Sequence, residues 1–278
     1  MDVLRYAAFS SDPAGGNPAG VVLDATGASD PELQSVAADI GYSETAFLIP
    51  GDGSRARIRY FSPLAEVPFC GHATIASGVA HAELNGPGTL LLDTAAGEVR
   101  VRTQRTGDGT ITATLTSVAP RTIPVTEPDL AAALGALGWA HDELDQSLPP
   151  RVAYAGAWHL VLAAVTRQRL ADLHYDFDAL GALMAARDWT TVDIVWRESD
   201  TVFHARNPFP PGGVVEDPAT GAAAAAFGGY LRELGLVTPP VTVTVHQGAD
   251  MGRPGLLTVD IPVGADTGII VTGTAVQF

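Results

Sequence analysis

"FCGHATIASGVAHAEL", residues 69–84, places the only cysteine of the chain before a run of small residues that predicts a helix ending near Asn85 and Gly86. A second stretch, "EDPATGAAAAAFGGYLRELG" at residues 216–235, has the same form, a glycine-bearing turn followed by a small-residue helix. Aligning Cys70 with Asp217 gives an offset of 147 residues (217 − 70). Identity between the stretches is slight, so the repeat rests on architecture. It predicts a chain of two similar α/β halves.

The segments around these helices support the same division. In the first half, Asp30 to Gly41 predicts a helix with Asp30 as its N-cap, and apolar runs predict seven strands, at residues 3–9, 19–23, 44–49, 56–61, 89–93, 99–103 and 111–115. In the second half, helices are predicted at 127–138 and 176–187, and strands at 152–155, 159–165, 192–196, 202–206, 241–246, 256–261 and 269–276. We therefore expect an N-terminal half at residues 1–118, completed by a returning strand at 267–278, and a C-terminal half at 119–266.

Composition excludes several function classes. The net charge is −15, and all 16 basic residues are arginine, so the chain has no lysine. This excludes a lysine Schiff base, lysine-anchored pyridoxal chemistry and a phosphate-loop lysine. An acidic chain without basic clusters also predicts no nucleic-acid partner.

Cysteine and histidine usage gives further expectations. One cysteine allows no intrachain disulfide, and no segment has the pattern of a signal peptide or of a membrane span of ~18 apolar residues. We therefore expect a cytoplasmic protein without a membrane partner. The seven histidines form no HExxH or Cys/His pattern, so no metal is expected, although a site assembled from distant residues stays open.

The two small-residue helices allow two interpretations. Bare N–H groups at their first turns favour an anion, which suggests a carboxylate clamped between two helix N-termini. Small residues also permit tight packing of a helix on a sheet. Asp217, followed by Pro218, has the pattern of an ordinary N-cap, His72 that of a core histidine, and Cys70 that of an inert buried thiol at a strand end.

Glu44 in "GYSETAFLIP" stands at the start of an otherwise apolar strand. If it is buried, its pKa rises toward a value useful for proton transfer. The alternative is an exposed glutamate at a strand end.

Five motifs together resemble one known family. They occur in its order and spacing and span nearly the whole chain: "GNPAGVV" at 16–22, "SETAFL" at 43–48, "PFCGHATIASG" at 68–78, "EDPATGAA" at 216–223 and "QGADMGRPG" at 247–255. The chain resembles the PhzF-like family of phenazine biosynthesis, whose relatives are the diaminopimelate epimerases. The resemblance implies an α/β (α+β) fold of two pseudo-symmetric halves. Each half is a mostly antiparallel, curved sheet wrapped around a central helix, with the active site in the cleft between them.

The resemblance also implies proton transfer without a cofactor, commonly in a homodimer. By position, Glu44 is similar to the family's acid/base, and His72 and Asp217 to its partners. The residues similar to those that bind the small carboxylate substrate are Asn17, Cys70, Gly71, Ala73, Gly221 and Ala222, with the two glycines offering backbone N–H groups.

Two departures from the family pattern bear on chemistry. The epimerase relatives have cysteines at the positions of both Cys70 and Asp217, and only Cys70 is present here, which disfavours a two-thiol epimerase and makes Cys70 a pocket-lining residue. The family usually has serine at the position of Ala222 and in place of Gly255, which puts the phenazine-pathway substrate in doubt. The sequence therefore predicts a cofactor-free isomerase of bacterial secondary metabolism that shifts a double bond in a small unsaturated or cyclic amino-acid-like carboxylate. The alternatives are an epimerase or racemase using Glu44 or Cys70 against Asp217, and a non-catalytic carboxylate-binding protein.

Overall fold

The computed structural model describes residues 1–278, and the chain divides into two compact units. Unit 1 comprises Met1–Thr116 and Thr272–Phe278, and unit 2 comprises Ser117–Val271. The C-terminal return to unit 1 thus begins at Thr272. No helix in the structure has the length and apolar character needed to cross a membrane.

Unit 1 contains all eight strands that occur before residue 117, together with two helices. The strands are β1 (Leu4–Ala8), β2 (Asn17–Val22), β3 (Glu44–Pro50), β4 (Arg55–Phe61), β5 (Glu66–Val67), β6 (Thr89–Thr94), β7 (Gly97–Arg105) and β8 (Ile111–Thr116). The helices are α1 (Asp30–Ile40) and α2 (Gly71–Asn85).

Unit 2 contains eight further strands and four helices. The strands are β9 (Arg121–Pro124), β10 (Arg151–Tyr154), β11 (Trp158–Ala163), β12 (Trp189–Arg197), β13 (Val202–Phe209), β14 (Val214–Asp217), β15 (Val241–Gln247) and β16 (Gly255–Ile261). The helices are α3 (Glu127–Leu137), α4 (Arg167–Ala171), α5 (Phe177–Arg187) and α6 (Gly221–Glu233). The last strand, β17 (Ile270–Gln277), pairs with β1 in unit 1.

The sheet of unit 1 closes around α2. Its strands follow the order β17, β1, β2, β3, β4, β6, β7, β8, and β8 pairs again with β17. The helix packs against β1, β2, β3, β7 and β8, and ten of its fifteen residues are buried. The inside of this sheet is therefore filled by one helix.

Unit 2 repeats the same pairing pattern around α6. Its strands follow the order β9, β10, β11, β12, β13, β15, β16, and the successive pairs are antiparallel, antiparallel, parallel, antiparallel, parallel and antiparallel. The series from β17 to β7 in unit 1 is identical. In both units a short strand, β5 or β14, precedes the central helix and pairs with the strand before it. The predicted fold class of two pseudo-symmetric halves is confirmed.

Local capping corrects one helix boundary. The N-cap of α1 is Ser29, not Asp30, because Ser29 has an extended backbone, and its N–H and hydroxyl both donate to the carboxylate of Glu32 in the first turn. Asp30 is the first helical residue, and Gly41 ends the helix in the left-handed conformation, where glycine costs least.

A buried chain of polar side chains crosses the sheet of unit 2. The Thr191 hydroxyl donates to Asn207 Oδ1 at 2.6 Å, so it must accept from His159 Nδ1 at 2.8 Å, and Asn207 Nδ2 donates to Asp193 Oδ1 at 3.1 Å. Burial lowers the pKa of His159 to about 3 and raises that of Asp193 to about 7, from 3.8. In the native state His159 is therefore neutral, and Asp193 stays protonated at pH values well above its ordinary pKa of 3.8.

Asp193→Asn tests this assignment, because the amide mimics the protonated carboxyl. Between pH 4 and 7 the native wild-type protein holds a proton on Asp193 that the unfolded chain has released, so its free energy of unfolding falls as pH rises and levels off above pH 7. The full decrease is on the order of 4 kcal/mol for a gap of about three pKa units. Urea unfolding at pH 5 and pH 7.5 should show the variant gaining stability relative to wild type at the higher pH. An equal difference at both pH values would contradict the assignment.

Candidate active site

Glu44, Cys70 and His72 lie together in unit 1 because of where two elements begin. Glu44 is the first residue of β3, Cys70 is the N-cap of α2, and His72 is the second residue of that helix. The helix contacts β3, and the contact between His72 and Glu44 shows that the start of the strand and the start of the helix share one location. Residues 26 positions apart in sequence (70 − 44) thus become neighbours.

The three side chains are within contact distance. His72 Nε2 lies 3.5 Å from Glu44 Oε2, and His72 Nδ1 lies 3.4 Å from Cys70 Sγ. The Ser43 hydroxyl is 3.4 Å from His72 Nε2. A proton can therefore be exchanged among a carboxylate, an imidazole and a thiol with little movement of heavy atoms.

Burial changes the pKa of the Glu44 carboxyl. Its side chain is 13% exposed, and desolvation raises its pKa, an effect partly offset by hydrogen bonds with Ser43 and Cys70. Glu44 is therefore a largely buried carboxyl rather than an exposed glutamate at a strand end. A raised pKa brings a carboxyl closer to the pH at which it can both take up and release a proton.

Hydrogen bonds fix the turn that carries Cys70. The Cys70 carbonyl accepts from the Thr74 N–H at 3.1 Å and from the Thr74 hydroxyl at 2.6 Å. Since that hydroxyl donates its proton to Cys70, it accepts from the buried Tyr60 hydroxyl at 2.6 Å. Cys70 is thus a cap residue tied to the first turn of α2, and the prediction that it ends a strand is wrong.

Asp217 belongs to a second cluster, in unit 2. It is the last residue of β14, whereas α6 begins at Gly221 with Thr220 as its N-cap, so the prediction that Asp217 caps the helix is wrong. Pairing of β14 with β13 keeps Asp217 extended, opposite Asn207. The helix starts are 150 residues apart (221 − 71), so Cys70 corresponds to Thr220 rather than to Asp217 in the repeat.

Gln247 holds this second cluster in place and was missed by sequence reasoning. Its side-chain amide donates to the Asp217 carbonyl at 2.7 Å and to the Thr220 hydroxyl at 2.9 Å, and it accepts from the Thr220 N–H at 3.0 Å. The Thr220 hydroxyl donates to Asp217 Oδ2 at 2.6 Å. Gln247 belongs to the motif "QGADMGRPG", but a glutamine at a strand end does not by itself indicate which groups it hydrogen-bonds.

The remaining predicted residues lie at element starts. Asn17 is buried at the first position of β2, and Gly71 and Ala73 belong to the first turn of α2. Gly221 and Ala222 are the first two residues of α6. Both helices thus begin with a glycine, and a residue without a side chain permits close approach to the N–H groups of the first turn.

Comparisons with known proteins settle the family. The family model described as "Phenazine biosynthesis-like protein" matches residues 6–278. The chain belongs to the PhzF-like family of phenazine biosynthesis. It is 31% identical to "Uncharacterized isomerase YfhB" of Bacillus subtilis over 99% of this chain and 96% of that protein. It is 30% identical to a trans-2,3-dihydro-3-hydroxyanthranilate isomerase of Pseudomonas chlororaphis over 98% and 95%, respectively.

Solved structures agree with this family assignment. A PhzF-family protein of Bacillus anthracis superposes with a TM-score of 0.88 at 26% identity, covering 100% of this chain and 97% of that one. A hydroxyproline epimerase of Agrobacterium vitis shares the fold at a TM-score of 0.67 and 14% identity, covering 99% and 90%. The protein is an isomerase of the PhzF-like family, built on the epimerase-like fold.

Gln247→Met tests the role of the buried amide. Methionine has similar length but removes the hydrogen bonds of the amide with the Asp217 carbonyl and the Thr220 N–H, and loss of the partner of a buried N–H costs about 1–3 kcal/mol. We expect the free energy of unfolding to fall by that amount in urea titrations. Thr244→Val, a half-buried position on the same strand, is the matched control and should change stability by less than about 0.5 kcal/mol. Equal effects of the two substitutions would contradict the assignment.

Proposed function

We propose that this protein moves a proton between two carbons of a small unsaturated or cyclic amino-acid-like carboxylate, shifting a double bond without a cofactor. The observation that supports this most is the contact of 3.5 Å between the buried Glu44 carboxylate and His72 at the N-terminus of α2. Family membership adds relatives named trans-2,3-dihydro-3-hydroxyanthranilate isomerase, whose substrate belongs to this class by name.

In the proposed reaction Glu44 acts as the proton carrier. Its carboxylate takes a proton from an activated C–H, the electrons of that bond move into the conjugated system, and the resulting carboxylic acid returns the proton at another carbon. His72, held beside the same carboxylate, stabilises the charge that develops. Asp217 is assigned to the same reaction by the family resemblance alone.

The substrate carboxylate is proposed to bind at backbone N–H groups of the helix starts, at Gly71 and Gly221. Gly71 has no side chain to block approach, and the N-terminus of a helix attracts an anion. Asn17, Cys70, Ala73 and Ala222 would line the substrate. The same proposal includes a homodimer, a cytoplasmic location and a role in bacterial secondary metabolism such as antibiotic biosynthesis, with no nucleic-acid or membrane partner.

One observation favours a second candidate, an epimerase or racemase. Cys70 Sγ contacts His72 Nδ1 at 3.4 Å, so the thiol is placed to exchange a proton with the imidazole. A non-catalytic carboxylate-binding protein is the third candidate. Solvent deuterium separates them, because isomerases and epimerases exchange a substrate C–H with solvent and a binding protein does not.

Glu44→Gln should slow proton transfer strongly while keeping the size of the side chain. General acid/base catalysis contributes about 10²- to 10⁴-fold, so deuterium incorporation into trans-2,3-dihydro-3-hydroxyanthranilate, or into the best member of a panel of cyclic unsaturated amino acids, should fall by that order. Substrate affinity should change little, because the proposed carboxylate contacts are backbone groups. Glu127→Gln, at an exposed position that begins α3, is the control and should keep wild-type exchange. Near-normal exchange in folded Glu44→Gln would refute the mechanism.

Cys70→Ala separates the first candidate from the second. If Cys70 only lines the pocket, the variant should keep at least about a tenth of wild-type turnover, since it loses packing and no proton carrier. A loss of about a thousandfold in a folded variant, the scale of a missing acid/base, would make Cys70 a proton carrier and favour the epimerase. Near-ultraviolet circular dichroism checks that the fold is intact.

A further inference from the structure

The cluster that supports proton transfer also has the composition of a divalent cation site. Glu44, Cys70 and His72 each offer one ligand atom, and these three atoms all lie within 4.8 Å of one another. They supply one carboxylate oxygen, one imidazole nitrogen and one sulfur. Those three donor types are the ones that bind Zn²⁺ in proteins.

The distances fit a tetrahedral ion. With zinc bonds of about 2.0–2.3 Å, two ligand atoms of a tetrahedral site are separated by roughly 3.3–3.6 Å. Glu44 Oε2 and His72 Nε2 are already 3.5 Å apart, and Cys70 Sγ and His72 Nε2 are 3.8 Å apart. Both of these distances lie within a few tenths of an ångström of the tetrahedral range, and the ligand atoms of the third pair, Glu44 and Cys70, lie within 4.8 Å of each other.

The charge balance also allows a cation at this place. The N-terminus of α2 carries a partial positive charge of roughly +0.5, which opposes cation binding. The Cys70 thiol releases its proton to solvent when the metal binds, so the Glu44 carboxylate and the resulting thiolate supply two full negative charges, which outweigh it. Three protein ligands with a fourth position left for water or a small molecule is the arrangement of an accessible zinc site, not of a closed structural one.

We propose that Zn²⁺ binds to Glu44 Oε2, Cys70 Sγ and His72 Nε2 and inhibits the enzyme reversibly. A bound ion occupies the lone pair with which Glu44 would accept the substrate proton. Cation binding itself stands independently of the catalytic mechanism, whereas inhibition rests on the proposed function. The sequence alone does not indicate this cation site, because the ligand positions 44, 70 and 72 match no known spacing of zinc ligands.

Titration with Co²⁺ tests binding without any substrate. The full-length protein is reduced, stripped of metals with a chelator and titrated with Co²⁺ alone while its absorption spectrum is recorded. We expect one equivalent to produce a near-ultraviolet thiolate-to-cobalt charge-transfer band and intense visible bands of a tetrahedral ion. Zn²⁺ should displace the cobalt and remove both.

Variants assign the ligands. Cys70→Ala and the near-isosteric Cys70→Ser should both lack the charge-transfer band, and Glu44→Gln and His72→Gln should each weaken Co²⁺ binding by at least about tenfold. His204→Gln is the control, because His204 forms a carboxylate–imidazole pair with Glu198 that could bind a cation adventitiously. The control should bind as wild type does. No charge-transfer band in wild type, or affinity lost in His204→Gln and kept in the Glu44 and His72 variants, would overturn the proposal.

Deuterium exchange then tests inhibition. Zn²⁺ at one equivalent should suppress exchange in the wild-type enzyme, and EDTA should restore it fully. Cobalt binding with undiminished exchange would overturn the inhibitory role. Exchange that is absent in the stripped enzyme and appears with Zn²⁺ would show a catalytic metal, which would overturn both inhibition and the cofactor-free function while the ligand assignment stands.

Discussion

A helix enclosed by strands must carry small side chains so that the strands can pack closely against it. This constraint determines which residues occupy the central helices α2 and α6. Gly78 and Gly228 are each the eighth residue of their central helices. A Cβ at Gly78 would lie 2.7 Å from Val101, and one at Gly228 would lie 2.8 Å from Ile269. Glycine in a helix interior costs about 1 kcal/mol relative to alanine, so its presence at both positions indicates that close strand packing outweighs helix propensity here. The alanines and serine around them serve the same close packing.

The enclosed helix also creates the candidate site. The sides of each central helix are covered by strands. The N–H groups of the first turn, at the helix N-terminus, have no partner within the helix, so they are the backbone groups that can bind another group. In unit 1 that terminus lies beside the start of β3, so the last residue before helix α2 and the first residue of β3 meet. The proximity of the buried Glu44 carboxyl to the Cys70 thiol and the His72 imidazole is therefore a consequence of the fold, since Glu44 lies far from the other two along the chain.

The sequence predicted the two-part α/β organisation and all the long strands, because apolar runs between turns carry that information locally. It placed the start of α6 wrongly, since Asp217 followed by Pro218 has the local pattern of an N-cap. What prevents it from acting as one is the pairing of β14 with β13, a contact between segments that no local pattern reports. The short strands β5, β9 and β14 were missed for the same reason.

Site chemistry was predictable to a different extent. The buried position of Glu44 was one of two interpretations that the sequence allowed, and only its neighbours in space decide between them. The buried pair of Gln247 with the Asp217 backbone could not be found, because an amide has no spacing rule that marks its partners. Residue type alone suggests what a group can do, whereas burial and distance decide whether it does so.

Proton transfer and cation binding make opposite demands on the same three side chains. A proton carrier needs a carboxyl group that both takes up and releases a proton. Burial of Glu44 favours this because it destabilises the charged carboxylate and so raises the pKa. A bound cation stabilises the charged carboxylate and prevents it from accepting a proton. A fourth protein ligand would close the tetrahedron and trap the ion, whereas three ligands leave a position at which water or a competing chelator can enter and release it. The proposed proton transfer therefore requires that thiophilic cations be scarce around the protein, and the proposed sensitivity to them follows from the same three side chains.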